Sequence, residues 1–434
     1  MTIQVEGNVR TRGSLRILMI APTSFFSDYG CHVRILEEAR GLQEHGHRVV
    51  ICTYHNGNPV EGLTIRRSLG VPGVQRAVVG SSRHKLYLDV ALTARTLGTA
   101  LAFRPDLIHA HLHEGALIGG ALARLLRKPL VFDYQGSLTA EMVDHRFLRP
   151  DSLLYRPTAL LEKTANCAAD TIITSTANAA RLLVERHGMP ARRIRTVADG
   201  VDTDRFRPGL LSRAERDARR ASYGISPERK VIVYLGLLAP HQGTELLLEA
   251  ARIVAARDPR AFFLIGGFPG NETYHRQALA LGLGSSVSFP GRIYYREAET
   301  FLALGDIAVS PKLSETEGNG KLYNYAAMGL PTVTFDKITN REILGDAGVY
   351  AATRTADDLA DRLLTLLARP HEAARSGLAV RERAVNLLSW RTRMKELLSV
   401  YDQLFASTPA PLAPTGRPYH GDAPYIGVHS EGDD

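Results

Sequence analysis

A chain of 434 residues is about two to three times the usual single-domain size, so two domains of roughly 200 residues each are expected. Its 44% hydrophobic and 23% charged residues, with 38 Gly and 22 Pro, exclude collagen, coiled coil and disorder for the bulk of the chain. The net charge of +8 is weighted toward the first half, where residues 1–206 carry 26 basic against 19 acidic side chains; that suits anionic ligands or a membrane surface as well as nucleic acid.

Residues 1–13 are polar and read as a disordered start. The apolar run Leu15–Ala21, closed by Pro22, is too short for a signal segment and reads as a buried parallel strand. A loop with Gly30 follows, then Val33, Leu36, Ala39 and Leu42 at helical spacing, then a second apolar run at Val49–Cys52. The same alternation returns with Leu107–Ala110, the helical Ala116–Leu126 and Leu130–Phe132, and again with Thr171–Ser175 and a helix after Asn178. Strand and helix in this order imply a doubly wound parallel sheet covered by helices on both faces.

A second series opens beyond the polar stretch 207–229, which reads as an interdomain linker. Val231–Gly236 is a strand, Thr244–Ala256 a helix and Ala261–Ile265 a strand, with further units at Val287–Phe289, Ile307–Ser310 and Lys321–Met328. The expected organisation is therefore a first Rossmann-like domain over 14–206, a second over 230–388, and a helix over 389–406 that returns to the first. Residues 407–434, rich in proline and glycine, read as a disordered tail. Cys31, Cys52 and Cys167 are too few and too scattered for a disulfide framework, which points to a reducing, cytoplasmic setting. No apolar stretch approaches the ~18 residues that cross a bilayer.

Two such sheets turn their carboxyl strand ends toward one interdomain cleft, so the chemistry belongs in the loops after strands. The most informative is Ser314–Pro331. Gly318 and Gly320 let backbone approach a ligand, and the helix opening near Gly320 turns N–H groups and the cation of Lys321 toward an anion. Glu317, just ahead, is placed to accept hydrogen bonds from hydroxyls. A phosphate joined to a polyol fits this set.

Glu317-Gly-Asn-Gly followed by Gly329-Leu-Pro resembles the donor signature of the retaining group-1 (family 4) glycosyltransferases, which have the GT-B fold of two facing Rossmann-like domains. Ala198–Pro208, Tyr234–Gly236 with Gln242–Ala250, Val287–Ile293 and Asp106–His111 resemble further segments of that family in order and spacing. The resemblance implies transfer of a sugar from a nucleotide-diphosphate-sugar to a carbohydrate or lipid-linked acceptor, as in glycoconjugate or polysaccharide assembly. Glu317 and Lys321 would then serve the reacting end of the donor, with Asp133 and Gln135 beside them. Gly30, Gly236, His241, Gly267, Arg292, Ile293, Gly318, Asn319, Gly320, Leu322 and Asn324 would contact the donor. No cofactor is expected and no metal site, because Lys321 and helix dipoles can neutralise the phosphates.

The chain departs from that family at several points. Asn324 and Tyr325 stand where a second Glu is usual, Gln135 where a His is usual, and Asp199 where an Asn is usual. The Arg and Lys that clamp the diphosphate fall at Leu237 and Gln242, leaving Lys321 and His241 as replacements. These departures keep a rival reading open: a non-catalytic GT-B accessory or sugar-nucleotide-binding protein. A dinucleotide oxidoreductase is excluded, since the first loop has no Gly-x-Gly-x-x-Gly.

His109 and His111, two apart on a strand, point the same way and are assigned a structural or acceptor-facing role, with no Cys or carboxylate seen to complete a metal site. Trp390 reads as a packing anchor for the returning helix. Arg66, Arg67, Arg76, Arg83 and Lys85 lie in a stretch without acids, a candidate contact for the acceptor or for an anionic membrane at the inner face. Nucleic acid is not expected, because this stretch holds one aromatic, Tyr87, and no recognition motif.

Overall fold

The computed structural model describes residues 13–27, 30–70, 85–144, 147–314 and 318–406. Glu317, Arg76, Arg83 and the side chain of Lys85 lie outside the described residues, as do most of the polar start and all of the tail.

The first sheet contains β1 (Arg16–Ala21), β2 (Arg48–Thr53), β3 (Thr64–Arg67), β4 (Leu107–His111), β5 (Leu130–Tyr134), β6 (Thr171–Thr174) and β7 (Ile194–Thr196). Its order is β3-β2-β1-β4-β5-β6-β7, and every pairing is parallel. The second contains β8 (Lys230–Leu237), β9 (Ala261–Phe268), β10 (Val287–Gly291), β11 (Ile307–Ser310), β12 (Thr332–Phe335) and β13 (Val349–Ala351), ordered β10-β9-β8-β11-β12-β13 and again wholly parallel. Both are doubly wound α/β sheets, as the alternation predicts.

The central strands are buried on both faces, which is why they read as unbroken apolar runs: Ile17 through Ala21 and Val231 through Val233 have no exposed surface. Short edge strands are less legible, and β3, β7, β12 and β13 go beyond the elements read from sequence. The basic stretch after Glu61 is in part β3, with Arg66 exposed and Arg67 half-buried. Arg67 donates through NH1 to the carbonyls of Phe25 and Asn56 at 2.8 and 2.7 Å, and through NH2 to that of Asn58, so it ties three loop carbonyls to the sheet edge.

Within the stretch read as a linker, helix Arg213–Ser222 forms behind a capping box of Ser212 and Glu215. Arg216 and Arg220 fasten it to Asp306, ahead of β11, at 2.5 and 2.9 Å. The helix Trp390–Ala406 crosses back to the first domain, where Met394, Leu397, Val400 and Tyr401 join the core formed by Ile17, Met19 and Ile35. The two chain crossings meet where Val201 bridges Ser389, with Trp390 packed against Gly200. Among the described residues no helix is long and apolar enough to cross a membrane.

Candidate active site

The loops after β10 and β11 meet the first domain at the carboxyl ends of its strands. A Cβ placed on Gly318 would lie 3.7 Å from Ser175 Oγ and 3.8 Å from Asp199 Oδ2, so the glycine turn faces the first domain directly. Polar contacts among the described residues cross the cleft. Arg292 NH2 donates to the Ser27 carbonyl at 2.9 Å, Tyr295 OH lies 3.5 Å from Glu37 Oε1, and the Glu342 carboxylate accepts from the N–H groups of Ala177 and Asn178 at 2.9 and 3.0 Å. Ala177 opens a first-domain helix and Glu342 lies on a second-domain one, so the last contact joins the domains through a helix N-terminus.

On the second-domain side, Lys321 opens the seven-residue helix Lys321–Ala327. Its Nζ donates to Gln242 Oε1 at 2.8 Å and stands 5.3 Å from the centre of the Tyr234 ring. Gly236 makes this possible, since a Cβ there would meet Lys321 Cε at 2.7 Å. At Gly267 a Cβ would lie 2.2 Å from the Gly236 carbonyl oxygen, so this second glycine is required by strand crowding. Asn324 is half-buried on the same helix face as Lys321, one turn on. Asn319 and Leu322 are buried: Asn319 joins Ser310 and Asn340 at 3.1 and 3.0 Å, and Leu322 belongs to the domain core. Only their backbone could meet a ligand. Gly320 has open space beside it, as does Gly30 at the start of the first helix. His241 is half-buried and its carbonyl accepts from Leu313 and Ser314. The Arg292 guanidinium lies 4.4 Å over the Phe268 ring, and Ile293 packs half-buried against the second-domain core.

Two buried lysines escaped sequence reading. Lys312 Nζ donates to the Gly318 carbonyl at 2.7 Å, and Lys337 Nζ donates to the carbonyls of Leu313, at 3.2 Å, and Ser314. Together they hold both flanks of the segment that carries Glu317. Nothing in their spacing marks them; the fold alone brings position 337 under position 314.

On the first-domain side, Asp133 has no exposed surface and lies within β5, whereas Gln135 is in the loop that follows. Arg34 Nε lies 3.0 Å from both of its oxygens, His111 Nδ1 2.9 Å from one, and Gln135 Nε2 donates to the same oxygen at 2.8 Å. Arg34 also donates to Asp199 Oδ1 at 2.9 Å and to the Val197 carbonyl at 3.0 Å, and its NH2 stands 3.1 Å from Glu38 Oε1. Position 199, where the resembled family usually has Asn, carries an Asp whose carboxylate accepts from this buried guanidinium. His109 stacks on His111 with ring centres 4.5 Å apart, contacts Tyr401 OH at 2.6 Å through Nδ1, and turns Nε2 toward Glu38 at 3.6 Å.

The sequence offered no carboxylate to these histidines, whereas the fold supplies two, so Glu38, His109, His111 and Asp133 gather as a potential ligand set. Arg34 sits against both carboxylates and already provides the positive charge that a metal would bring. Burial pushes the Glu38 carboxyl up to about 8, with Asp133 and Asp199 adding to the effect against Arg34. Burial acts on Asp133 in the same direction, yet Arg34 and the His111 hydrogen bond overcome it and hold that carboxyl well below the ordinary range. Burial likewise holds His109 far below its usual value, in its neutral form. The Arg34–Glu38 pair has one signal in the sequence: both lie on the apolar face defined by Ile35, Ala39 and Leu42.

Comparison with known proteins agrees with this layout. Residues 29–200 match the family model described as Glycosyl transferase 4-like domain, and residues 215–383 match Glycosyl transferases group 1. The chain is 28% identical over 376 residues to sulfoquinovosyl transferase SQD2 of Arabidopsis thaliana, covering 84% of this chain and 69% of that protein. It is 29% identical over 403 residues to D-inositol 3-phosphate glycosyltransferase 2 of Catenulispora acidiphila, covering 86% and 90%. Among solved structures, sucrose-phosphate synthase of Thermosynechococcus elongatus superposes with a TM-score of 0.75 at 18% identity, over 91% of this chain and all of that one. Anabaena HepE in complex with UDP superposes with a TM-score of 0.70 at 16% identity, over 90% and 100%.

Proposed function

The chain belongs to the group 1 glycosyltransferases of GT-B fold, enzymes of nucleotide-sugar donors, and from that premise we propose that it transfers a sugar with retention of configuration and without a metal. The donor nucleotide-diphosphate-sugar lies along the second domain, its diphosphate between the Gly318–Gly320 turn and Lys321 and its sugar hydroxyls at Glu317. The base lies near Arg292 and Ile293.

The observation that carries this reading is the place of the Lys321 ammonium: at the carboxyl end of β8, beside the strand-end Gly236, on the helix that follows the Gly318 turn facing the first domain. When the anomeric carbon–oxygen bond breaks, its electron pair goes to the phosphate oxygen. A fixed cation there stabilises the charge that develops. The acceptor oxygen forms the new bond on the same face and passes its proton to the departing phosphate, so no protein nucleophile is required. HepE was solved with UDP and with UDP-glucose, which supports a nucleoside diphosphate as the donor's handle.

Acceptor choice belongs to the first domain, whose excess positive charge favours an anionic or lipid-linked acceptor, with Arg66 exposed toward an anionic membrane surface.

A thermal-shift panel of nucleoside diphosphates and their sugars, followed by nucleotide-release assays on the best donor, tests the reading. Stabilisation should reach about 2.7 kcal/mol at a ligand concentration 100 times Kd. Glu317→Gln and Lys321→Ala should each lower turnover about 100-fold with the fold intact. A wild-type protein that binds no nucleotide would return the chain to the accessory-protein reading.

A further inference from the structure

Gln242 is a polar residue in the short turn that follows β8. Its side chain is buried, with 5% exposure, and its placement is tightly determined. The turn Pro240–Gln242 ends at Gly243, whose φ of +75° belongs to the left-handed region and whose absent Cβ would otherwise lie 2.0 Å from the Pro311 carbonyl oxygen. Tyr234 is fixed as firmly, since its hydroxyl donates to the Leu237 carbonyl at 2.6 Å. Between these two lies the channel that Gly236 leaves open, and the Lys321 side chain fills it.

The geometry points to Gln242 as the positioning residue for Lys321. An amide oxygen accepts one of the three ammonium protons without cancelling the charge. A carboxylate in its place would cancel the charge, and an apolar side chain would release a four-carbon stem with several rotatable bonds. The Tyr234 ring adds a cation–π contact that favours the charged form without consuming a donor. Gly236, Tyr234 and Gln242 thus form one cradle at the end of β8, built around an ammonium that arrives from a different element 79 positions along the chain. This role rests on the glycosyl-transfer reading above, and it carries one specific consequence. The cation can be delivered from either wall of the cradle.

Steady-state kinetics on the full chain test this with Gln242→Leu, Lys321→Met and the double variant Lys321→Met/Gln242→Lys. Lys321→Met should lower kcat about 100-fold, and Gln242→Leu about tenfold with donor KM changed by less than about threefold. The double variant, which returns an ammonium to the same place from the opposite wall, should recover at least about tenfold over Lys321→Met. Circular dichroism should show all three folded; a variant that fails to fold is replaced by Gln242→Glu, which keeps the hydrogen bond while cancelling the charge and should lose turnover equally. A Gln242→Leu enzyme with wild-type kcat, or a double variant no faster than Lys321→Met, overturns the positioning role. Calorimetry with UDP and ADP separates that failure from the larger one: a wild-type chain that binds neither nucleotide overturns the donor reading itself, whereas binding with unimpaired Gln242→Leu turnover overturns only the cradle.

Discussion

Glu38 is a carboxyl held between opposing demands, since Arg34 favours its charge while complete burial, Asp133 and Asp199 oppose it. Burial wins, and the group folds as an acid whose proton leaves only near pH 8. The linkage then has a definite sign. A carboxyl raised above its unfolded value stabilises the fold fully below about pH 4.3, and that contribution is lost as pH rises through about 8. Asp133 runs the other way: its depressed value contributes above the unfolded pKa and is lost as acid protonates it. Wild type should therefore lose melting temperature between pH 5 and 9 relative to Glu38→Gln, which keeps a neutral polar side chain at the site. Parallel melting profiles of the two proteins over that range would show that Glu38 is ionised throughout. Removing the central cation is a harsher change. Arg34→Met leaves Asp133 buried against His111 and Gln135 with no countercharge, and should cost about 3–5 kcal/mol in denaturant unfolding.

At the scale of elements, the returning helix Trp390–Ala406 shows what patterned side chains can convey and what they cannot. Its apolar stripe is visible as Met394, Leu397 and Tyr401 at helical spacing, and the central strands were equally visible as apolar runs. The partner of that stripe was not. Gly41 lies in the middle of the first helix, where a Cβ would fall 2.5 Å from Met394 Cγ, so the two helices approach closely because one position has no side chain. The same limit applies to the site. Gly318, Gly320 and Lys321 follow one another and their chemistry is legible, whereas Arg34, Asp133 and Asp199 are separated by 99 and 165 positions from Arg34 and are joined only by the fold. Edge strands such as β3 and β13 carry three or four residues each, too few for a period to emerge. Leu397 has no exposed surface, so Leu397→Ala should destabilise the protein by about 2–5 kcal/mol, the range for truncating a buried leucine. Urea unfolding followed by circular dichroism measures this, and a loss below about 1 kcal/mol would mean the helix is not part of the first domain's cooperative unit.

Across the whole molecule, the two domains are joined by two chain crossings that meet at Val201 and Ser389, the arrangement of a hinge. Opposite the hinge, the described contacts across the cleft include polar ones, Arg292 to Ser27, Tyr295 to Glu37, and Glu342 to the N–H groups of Ala177 and Asn178, beside the packing of the Tyr295 ring on Phe26. The exposed polar contacts among these exchange readily with water, since such pairs contribute about 1 kcal/mol or less each, so a donor spanning both domains can shift closure. Glu342 is the most informative member of that set because it engages two backbone donors at a helix start and touches neither Lys321 nor Gln242 in the described network. In Glu342→Ala the freed N–H groups can turn to water, so each domain keeps its own stability while the closed arrangement loses its clasp. The expected result is a larger radius of gyration by small-angle scattering without nucleotide, recovery of the compact value when donor nucleotide is saturating, and a donor KM raised about three- to tenfold with kcat little changed. A variant with wild-type radius and wild-type KM would show that the hinge, and not the clasp, holds the cleft shut.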